Sequence, residues 1–333
     1  MVESKKSLIQ VVTQLPTNPK RLDVWLAQML QLSRSRVQQL LVKNSITING
    51  QSINSKTKPK LGDQITLLPE AKNTDLELPD IPILYEDDDI LVVNKPSGLK
   101  VHAGNSLSCE ITLVDCLRKQ ATKLSSGLGD PTRQGIVHRL DQFTSGVLIC
   151  AKNDPTHIAM QNIFRQRQVE KEYLALLCGI MPDSEIFCES YLYRDPKHRK
   201  KFASTSDPTS LKETRSRLAI STFQRIATYD PCFSLAKVFI KTGRTHQIRV
   251  HAKALHLPII GDQLYFLKTK PLKIPSEIKQ IIANLRGQVL HARRIKFFHP
   301  THGKIMSFKA PINQGFHDLL LALAPYRKPR FHL

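Results

Sequence analysis

Acidic residues are scarce: 28 Asp and Glu stand against 49 Lys and Arg in 333 residues, a formal charge of +21. An excess this large repels itself in the compact state and is commonly neutralised by a polyanion, which points to nucleic acid. The cations cluster in residues 1–75, in residues 260–333, and at Arg194, Lys197, Arg199, Lys200 and Lys201. Long apolar runs are also missing. The longest, 146–151, 174–181 and 319–324, fall far short of the roughly 20 residues a spanning helix needs, so no membrane partner is expected. Residues 1–15 carry Glu3, Lys5, Lys6, Gln10 and Gln14 and no apolar signal core, which predicts a cytoplasmic protein. The six cysteines form no C-x-x-C pair, which argues against a zinc finger or a disulfide scaffold. Gly127-Leu128-Gly129 is not followed by Gly-Lys-Ser/Thr, and Ser145-Gly146 lacks a G-x-S-x-G context, so neither a P-loop enzyme nor a serine hydrolase is supported. His246 and His251 lie about 140° apart around a helix instead of in the i, i+4 spacing of a zinc helix. His299 and His302 have no third ligand in sequence reach, so no metal site is expected.

With 41% hydrophobic residues, a chain this long can bury one sizeable core and a smaller one. The first unit is expected at 18–70, after a tail at 1–17. Leu22, Leu26 and Leu30 give a helical stripe, and Ser33 can cap a second helix with Val37, Leu40 and Leu41 on its apolar face. Ile46 and Ile48 alternate with polar residues before Asn49-Gly50, a strong type I′ turn signal, and Leu61-Gly62-Asp63 turns again into Ile65 and Leu67. Arg34, Arg36 and Lys43, with Lys56, Lys58 and Lys60, give this unit a cationic face able to track a phosphate backbone. Arg21-Leu22-Asp23, Ser33-Arg34-Ser35-Arg36 and Ile46-Thr47-Ile48-Asn49-Gly50 resemble the alpha-L RNA-binding motif, also found in a small-subunit ribosomal protein.

Pro69, Pro79 and Pro82 among polar residues mark a linker, 71–83, and a larger domain is expected over 84–326, with a basic tail at 327–333. Ile90–Val93, Val147–Cys150 and Tyr173–Cys178 predict strands. Asp154-Pro155 is a cap and first turn for a helix presenting Ala159, Ile163 and Phe164. Arg217–Ile226 and Phe233–Lys241 predict two antiparallel strands joined at Tyr229-Asp230-Pro231. Strands and helices do not alternate regularly, which favours α+β with a mixed, largely antiparallel sheet.

Two segments concentrate chemistry. Gly135–Gly146 places His138, Arg139, Asp141 and two hydroxyls in a turn-rich loop before a strand. Thr242–His251 opens a helix whose core face is Ile248, Ala252 and Leu255, leaving Arg249 free to hold a carboxylate from another loop. His138-Arg139-Leu140-Asp141 with Thr144-Ser145-Gly146, Lys171-Glu172-Tyr173, and Gly243-Arg244-Thr245-His246-Gln247-Ile248-Arg249 resemble the pseudouridine synthases that modify large-subunit ribosomal RNA and some transfer RNAs. The resemblance spans about 84–315 and includes Asn94-Lys95-Pro96-Ser97-Gly98, Val101-His102, Gly261-Asp262 with Tyr265, Leu290-His291-Ala292 and His299-Pro300. Ala103, Gln142-Phe143 and Phe266 depart from the family pattern.

The resemblance implies the pseudouridine synthase fold and an isomerase that detaches uracil from C1′ of a uridine, rotates it and rejoins it through C5, with no cofactor. It implies Asp141 as the catalytic carboxylate, whether by adding to the sugar, adding to the base or taking a C2′ proton. Arg249 is implied as its ion-pair partner, with Arg244 the lesser candidate, and Tyr173 as the aromatic that stacks on the base. Arg139 is implied to fill the gap left by the flipped uridine, with His138 and Arg244 as further RNA contacts. Large-subunit ribosomal RNA, free or in pre-ribosomal particles, is the expected partner of a monomer. A non-catalytic RNA-binding assembly factor, an RNA N-glycosidase and the same chemistry on transfer RNA are the rival readings.

Overall fold

The computed structural model describes residues 8–12, 22–30, 32, 34–42, 44–54, 57–68, 78–103, 110–120, 123–210, 215–266 and 274–328. The chain divides into two compact units, 1–77 and 78–333.

In the first unit, helices α1 (Leu22–Met29) and α2 (Arg34–Val42) accompany four antiparallel strands, β1 (Leu8–Val11), β2 (Ile46–Ile48), β3 (Gln51–Ser52) and β4 (Gln64–Leu67), in the order β1-β4-β2-β3. Leu22, Leu26, Val37, Leu40, Ile46 and Ile65 close the core. Asn49 and Gly50 both have positive φ, 50° and 77°, as a type I′ turn demands. The expected tail needs correction: Leu8–Val11 is a strand, and Val12 is buried. This short strand covers an edge of β4 that would otherwise stand open. The expected cap Ser33 lies outside the described residues.

The second unit is built on ten strands: β5 (Ile83–Glu86), β6 (Ile90–Lys95), β7 (Ser145–Ala151), β8 (Glu170–Cys178), β9 (Glu185–Arg194), β10 (Phe202–Thr205), β11 (Arg217–Tyr229), β12 (Phe233–Ile240), β13 (Leu290–Phe298) and β14 (Ile305–Lys309). Their order is β10-β9-β11-β12-β8-β13-β7-β6-β5, with β14 on β13, and only β13 and β7 run parallel. Helices α3 (Leu113–Lys119), α4 (Asp154–Arg165), α5 (Gln247–Ala254), α6 (Ser276–Ala283) and α7 (Gln314–Leu323) complete the unit. Packing reaches into both expected flanks. Ile81 is buried and its backbone bonds the Gln120 side chain, while Lys328 donates its backbone N–H to Thr228 and pairs with Asp230. The α4 cap is Asn153, which accepts the Thr156 N–H, and the buried face of that helix is Thr156, His157 and Met160. Asp154 instead accepts two hydrogen bonds from Ser126.

Sequence neighbours of Asp141 are thereby fixed from below. Gly146, the second residue of β7, has φ +114°, and a Cβ there would stand 2.2 Å from the Ala292 carbonyl oxygen on β13. Gly146→Ala is expected to cost about 3 kcal/mol, from backbone strain plus overpacking against main chain that cannot rotate away. Urea unfolding checks it, and a loss under about 1 kcal/mol would mean that β7 and β13 can separate freely.

Candidate active site

Asp141 sits in the loop that feeds β7, and that loop is held by the Asn94–Gly98 turn after β6. Lys95 is fully buried and its ammonium donates to three carbonyls, those of Pro96 at 2.8 Å, Leu99 at 2.8 Å and Gln142 at 3.0 Å. Burial pushes the Lys95 pKa down to about 7, against the pull of the Asp141 charge. The Gly98 N–H donates to the Gln142 carbonyl, the Gln142 amide returns a bond to the Gly98 carbonyl, and Ser97 donates to the Phe143 carbonyl. The Phe143 ring packs where a Gly287 Cβ would be. Gln142 and Phe143 are thus clamped to the protein, which fixes the backbone that carries the Asp141 side chain.

Two hollows meet at Asp141. One, of about 100 Å³, is lined by Tyr173, Thr144, Arg244, Ile248 and Leu290 among others; a wider one, of about 490 Å³, runs past His102, Phe143, Gln263, Leu264 and Gln288. Asp141, Arg139, His246 and Arg249 line both. From α5, Arg249 brings Nη1 to 3.1 Å from the Asp141 carboxylate across 108 residues of sequence. Its other side is bound more fully by the buried Asp262, with Nε at 2.7 Å and Nη2 at 2.9 Å, and its guanidinium lies 5.0 Å from the Tyr265 ring centre. Burial opposes the charge on Arg249, but the two carboxylates hold its pKa above the ordinary value. Tyr173, buried on β8, is kept protonated first by burial and then by the Asp141 charge.

His246 caps α5 in the left-handed region, φ 57°, a strained conformation for a non-glycine residue. The Phe202 N–H donates to the Tyr265 hydroxyl, which faces His246 Nδ1 at 2.9 Å. Burial lowers the His246 pKa, against the pull of the Asp141 charge beside it.

Comparisons with known proteins point to one family. Residues 89–254 match the RNA pseudouridylate synthase family model, and residues 20–65 match the S4 domain. An uncharacterized RNA pseudouridine synthase of Helicobacter pylori strain J99 is 36% identical over 312 residues, 91% of this chain and 90% of its own. A protein of Pasteurella multocida named ribosomal large subunit pseudouridine synthase D is 33% identical over 318 residues, 93% of each chain. The chain belongs to the RNA pseudouridine synthase family. A solved human protein, RNA Pseudouridylate Synthase Domain Containing 4, shares the fold with a TM-score of 0.54 at 23% identity, over 74% of this chain and 94% of its own. The synthase is therefore an isomerase that acts on RNA and carries an N-terminal S4 domain.

The synthase brings Asp141, Arg249 and Tyr173 together, with Arg139 and Arg244 at the same hollow. Arg139 is exposed and its Nη1 lies 3.4 Å from His102 Nε2. His138 is engaged by the protein instead of facing RNA: its Nε2 accepts the Ile149 N–H and its ring stacks on Phe164 at 4.6 Å. Burial, then Lys171, pushes its pKa down to about 3, so it pins the loop to β7 as a neutral ring. In the S4 domain, the Arg34 Nε is committed to the buried Asp23 at 2.8 Å. Lys43 and the Arg36 side chain lie outside the described residues. Sequence reasoning did not single out Asp262, although Gly261-Asp262 was among the motif residues, nor Lys95 and His246. It also found no third ligand for His299 and His302; Asp87 supplies a candidate from far upstream. Both His299 nitrogens are already used, Nδ1 by the Thr301 and His302 N–H groups and Nε2 by Asp87 at 3.1 Å. This trio thus clamps the β13–β14 turn onto the β5–β6 turn.

Proposed function

We propose that the synthase isomerises specific uridines of large-subunit ribosomal RNA, with Asp141 as the reacting carboxylate on a uridine turned out of its helix. The observation that carries this reading is the convergence of Asp141, Arg249 and Tyr173, from three distant segments, on one small hollow. Relatives over 30% identical along nearly the whole chain are named for the ribosomal large subunit, and the S4 domain and the +21 charge suit an RNA partner.

In the reaction the N1–C1′ bond breaks, the base turns, a C5–C1′ bond forms, and the C5 proton leaves while N1 gains one. Departure of the base builds positive character at C1′, which an ionised carboxylate stabilises or traps. Arg249, itself held by Asp262, fixes the Asp141 carboxylate. Tyr173 offers an aromatic face for the base, and such stacking contributes roughly 1–3 kcal/mol. Arg139, exposed at the mouth, is placed to fill the space the uridine vacates, which offsets part of the few kcal/mol that flipping costs.

The test is release of tritium from unmodified large-subunit ribosomal RNA carrying uridine labelled at C5. The synthase should release it without making the strand sensitive to aniline. Binding without release would favour an assembly factor, aniline cleavage a glycosidase, and release from transfer RNA alone a different substrate.

A further inference from the structure

We propose that Lys171 and Arg244, flanked by Arg167 and Arg217, form a phosphate subsite that takes an RNA backbone phosphodiester adjoining the target uridine. This rests on the reading just given and adds a binding site to it. On β8 the side chains alternate, so Lys171 shares a face with Tyr173, while Glu170 and Glu172 point the other way and pair with Lys296 and Arg294. The only carboxylates next to Lys171 in sequence are therefore used on the opposite face. The Lys171 ammonium reaches the loop before α5, where a Cβ on Gly243 would lie 3.8 Å from Nζ. The next residue, Arg244, lines the small hollow with Asp141 and Tyr173, and its Nε donates at 3.1 Å to the carbonyl of Leu218, the neighbour of Arg217. Arg167, in a left-handed turn at φ 61°, enters β8 from the same end, four residues before Lys171.

Among the described residues, none of these four cations forms an ion pair with a carboxylate. They act on one another instead. Burial, then Arg244 and Arg167, pushes the Lys171 pKa down to about 8, and burial, Arg217 and Arg167 lower that of Arg244. Lys171 and Arg244 are partly desolvated while Arg167 and Arg217 are exposed, and like charges so placed with no anion among them destabilise the free protein, a repulsion that a bound phosphodiester removes. Its position identifies the source. A uridine with its base over Tyr173 and C1′ near Asp141 must carry its backbone out of the hollow, and Arg244 stands on that rim beside Gly243, which leaves room for close approach.

The test uses the full chain, the transcribed unmodified large-subunit ribosomal RNA labelled as above, and Lys171→Met, Lys171→Arg and Arg244→Gln. Filter binding over a series of KCl concentrations should show the salt slope shallower by about 0.7 for each lost contact in Lys171→Met and Arg244→Gln, and unchanged in Lys171→Arg. The RNA concentration for half-maximal tritium release should rise about tenfold in the two neutral variants. Without RNA, Lys171→Met should melt at or above the wild-type temperature, because it removes an uncompensated cation. An unchanged slope and half-maximal concentration in Lys171→Met, or a lowered melting temperature, would overturn the subsite. Binding without tritium release by the wild type would instead sink the proposed function, and the slope comparison would still decide the subsite.

Discussion

Asp141→Asn is expected to abolish tritium release, by on the order of 10⁴-fold or more, while leaving RNA binding and the fold in place. Loss of a group that reacts with substrate is commonly of that size, because no neighbouring side chain can replace it. The substitution preserves shape and an oxygen that can still accept from Arg249 Nη1 at about the present 3.1 Å, so what it removes is the charge. The loop's bonds do not use that carboxylate: Lys95 and Gly98 donate to the Gln142 carbonyl, Ser97 donates to the Phe143 carbonyl and the Gln142 amide donates to the Gly98 carbonyl, so the Asp141 charge enters only through its support of the buried Lys95 ammonium. Arg249 is not orphaned either, since Asp262 still holds it by two bonds. A melting temperature within a degree or two of wild type and an unchanged or slightly tighter RNA affinity should therefore accompany the lost release. Release within tenfold of wild type would show that Asp141 is not the reacting carboxylate, whereas a collapsed melting temperature would make it a structural residue.

What could be read from the sequence followed the range of the interaction. The Asn49-Gly50 hairpin was legible because the turn's backbone demand is met by those two residues alone. Strands β7, β8, β11 and β12 were legible as β-branched or alternating runs. The cap of α4 slipped by one residue because Asn153 and Asp154 are both good caps, and only the distant Ser126 decides that Asp154 is used elsewhere. β1 was read as tail because a four-residue strand is visible only through its partner β4. The site shows the same gradient. Helical periodicity left Arg249 free to hold a carboxylate from another loop, and family resemblance named Asp141 as that carboxylate, but nothing local says that Arg249 spends two of its nitrogens on Asp262. His138 shows the opposite error: a polar residue beside Asp141 looks like an RNA contact until Phe164 and the Ile149 N–H are seen to occupy it.

Asp262→Asn is expected to cost about 3–5 kcal/mol of stability, because it leaves the Arg249 guanidinium buried with half its compensation gone. Asp262 has no exposed side-chain surface, and besides Arg249 it accepts the backbone N–H groups of Leu264 and Tyr265. Asn can keep the backbone bonds through its oxygen, but its NH₂ faces the guanidinium, donor against donor. Arg249 would then turn its remaining donors onto Asp141, drawing the carboxylate toward α5 and neutralising it. The release rate, measured where the variant is still folded, should fall about 100-fold, the scale of an ångström-sized misplacement of a reacting group. A buried cation without its anion is worse than no cation, so adding Arg249→Met to Asp262→Asn should recover most of the lost stability while release stays low. Urea unfolding of the two single variants and the double variant, beside tritium release, separates positioning from simple support of the fold. Additive losses in the double variant, or a cost under about 1 kcal/mol for Asp262→Asn alone, would mean that Arg249 holds Asp141 without help from Asp262.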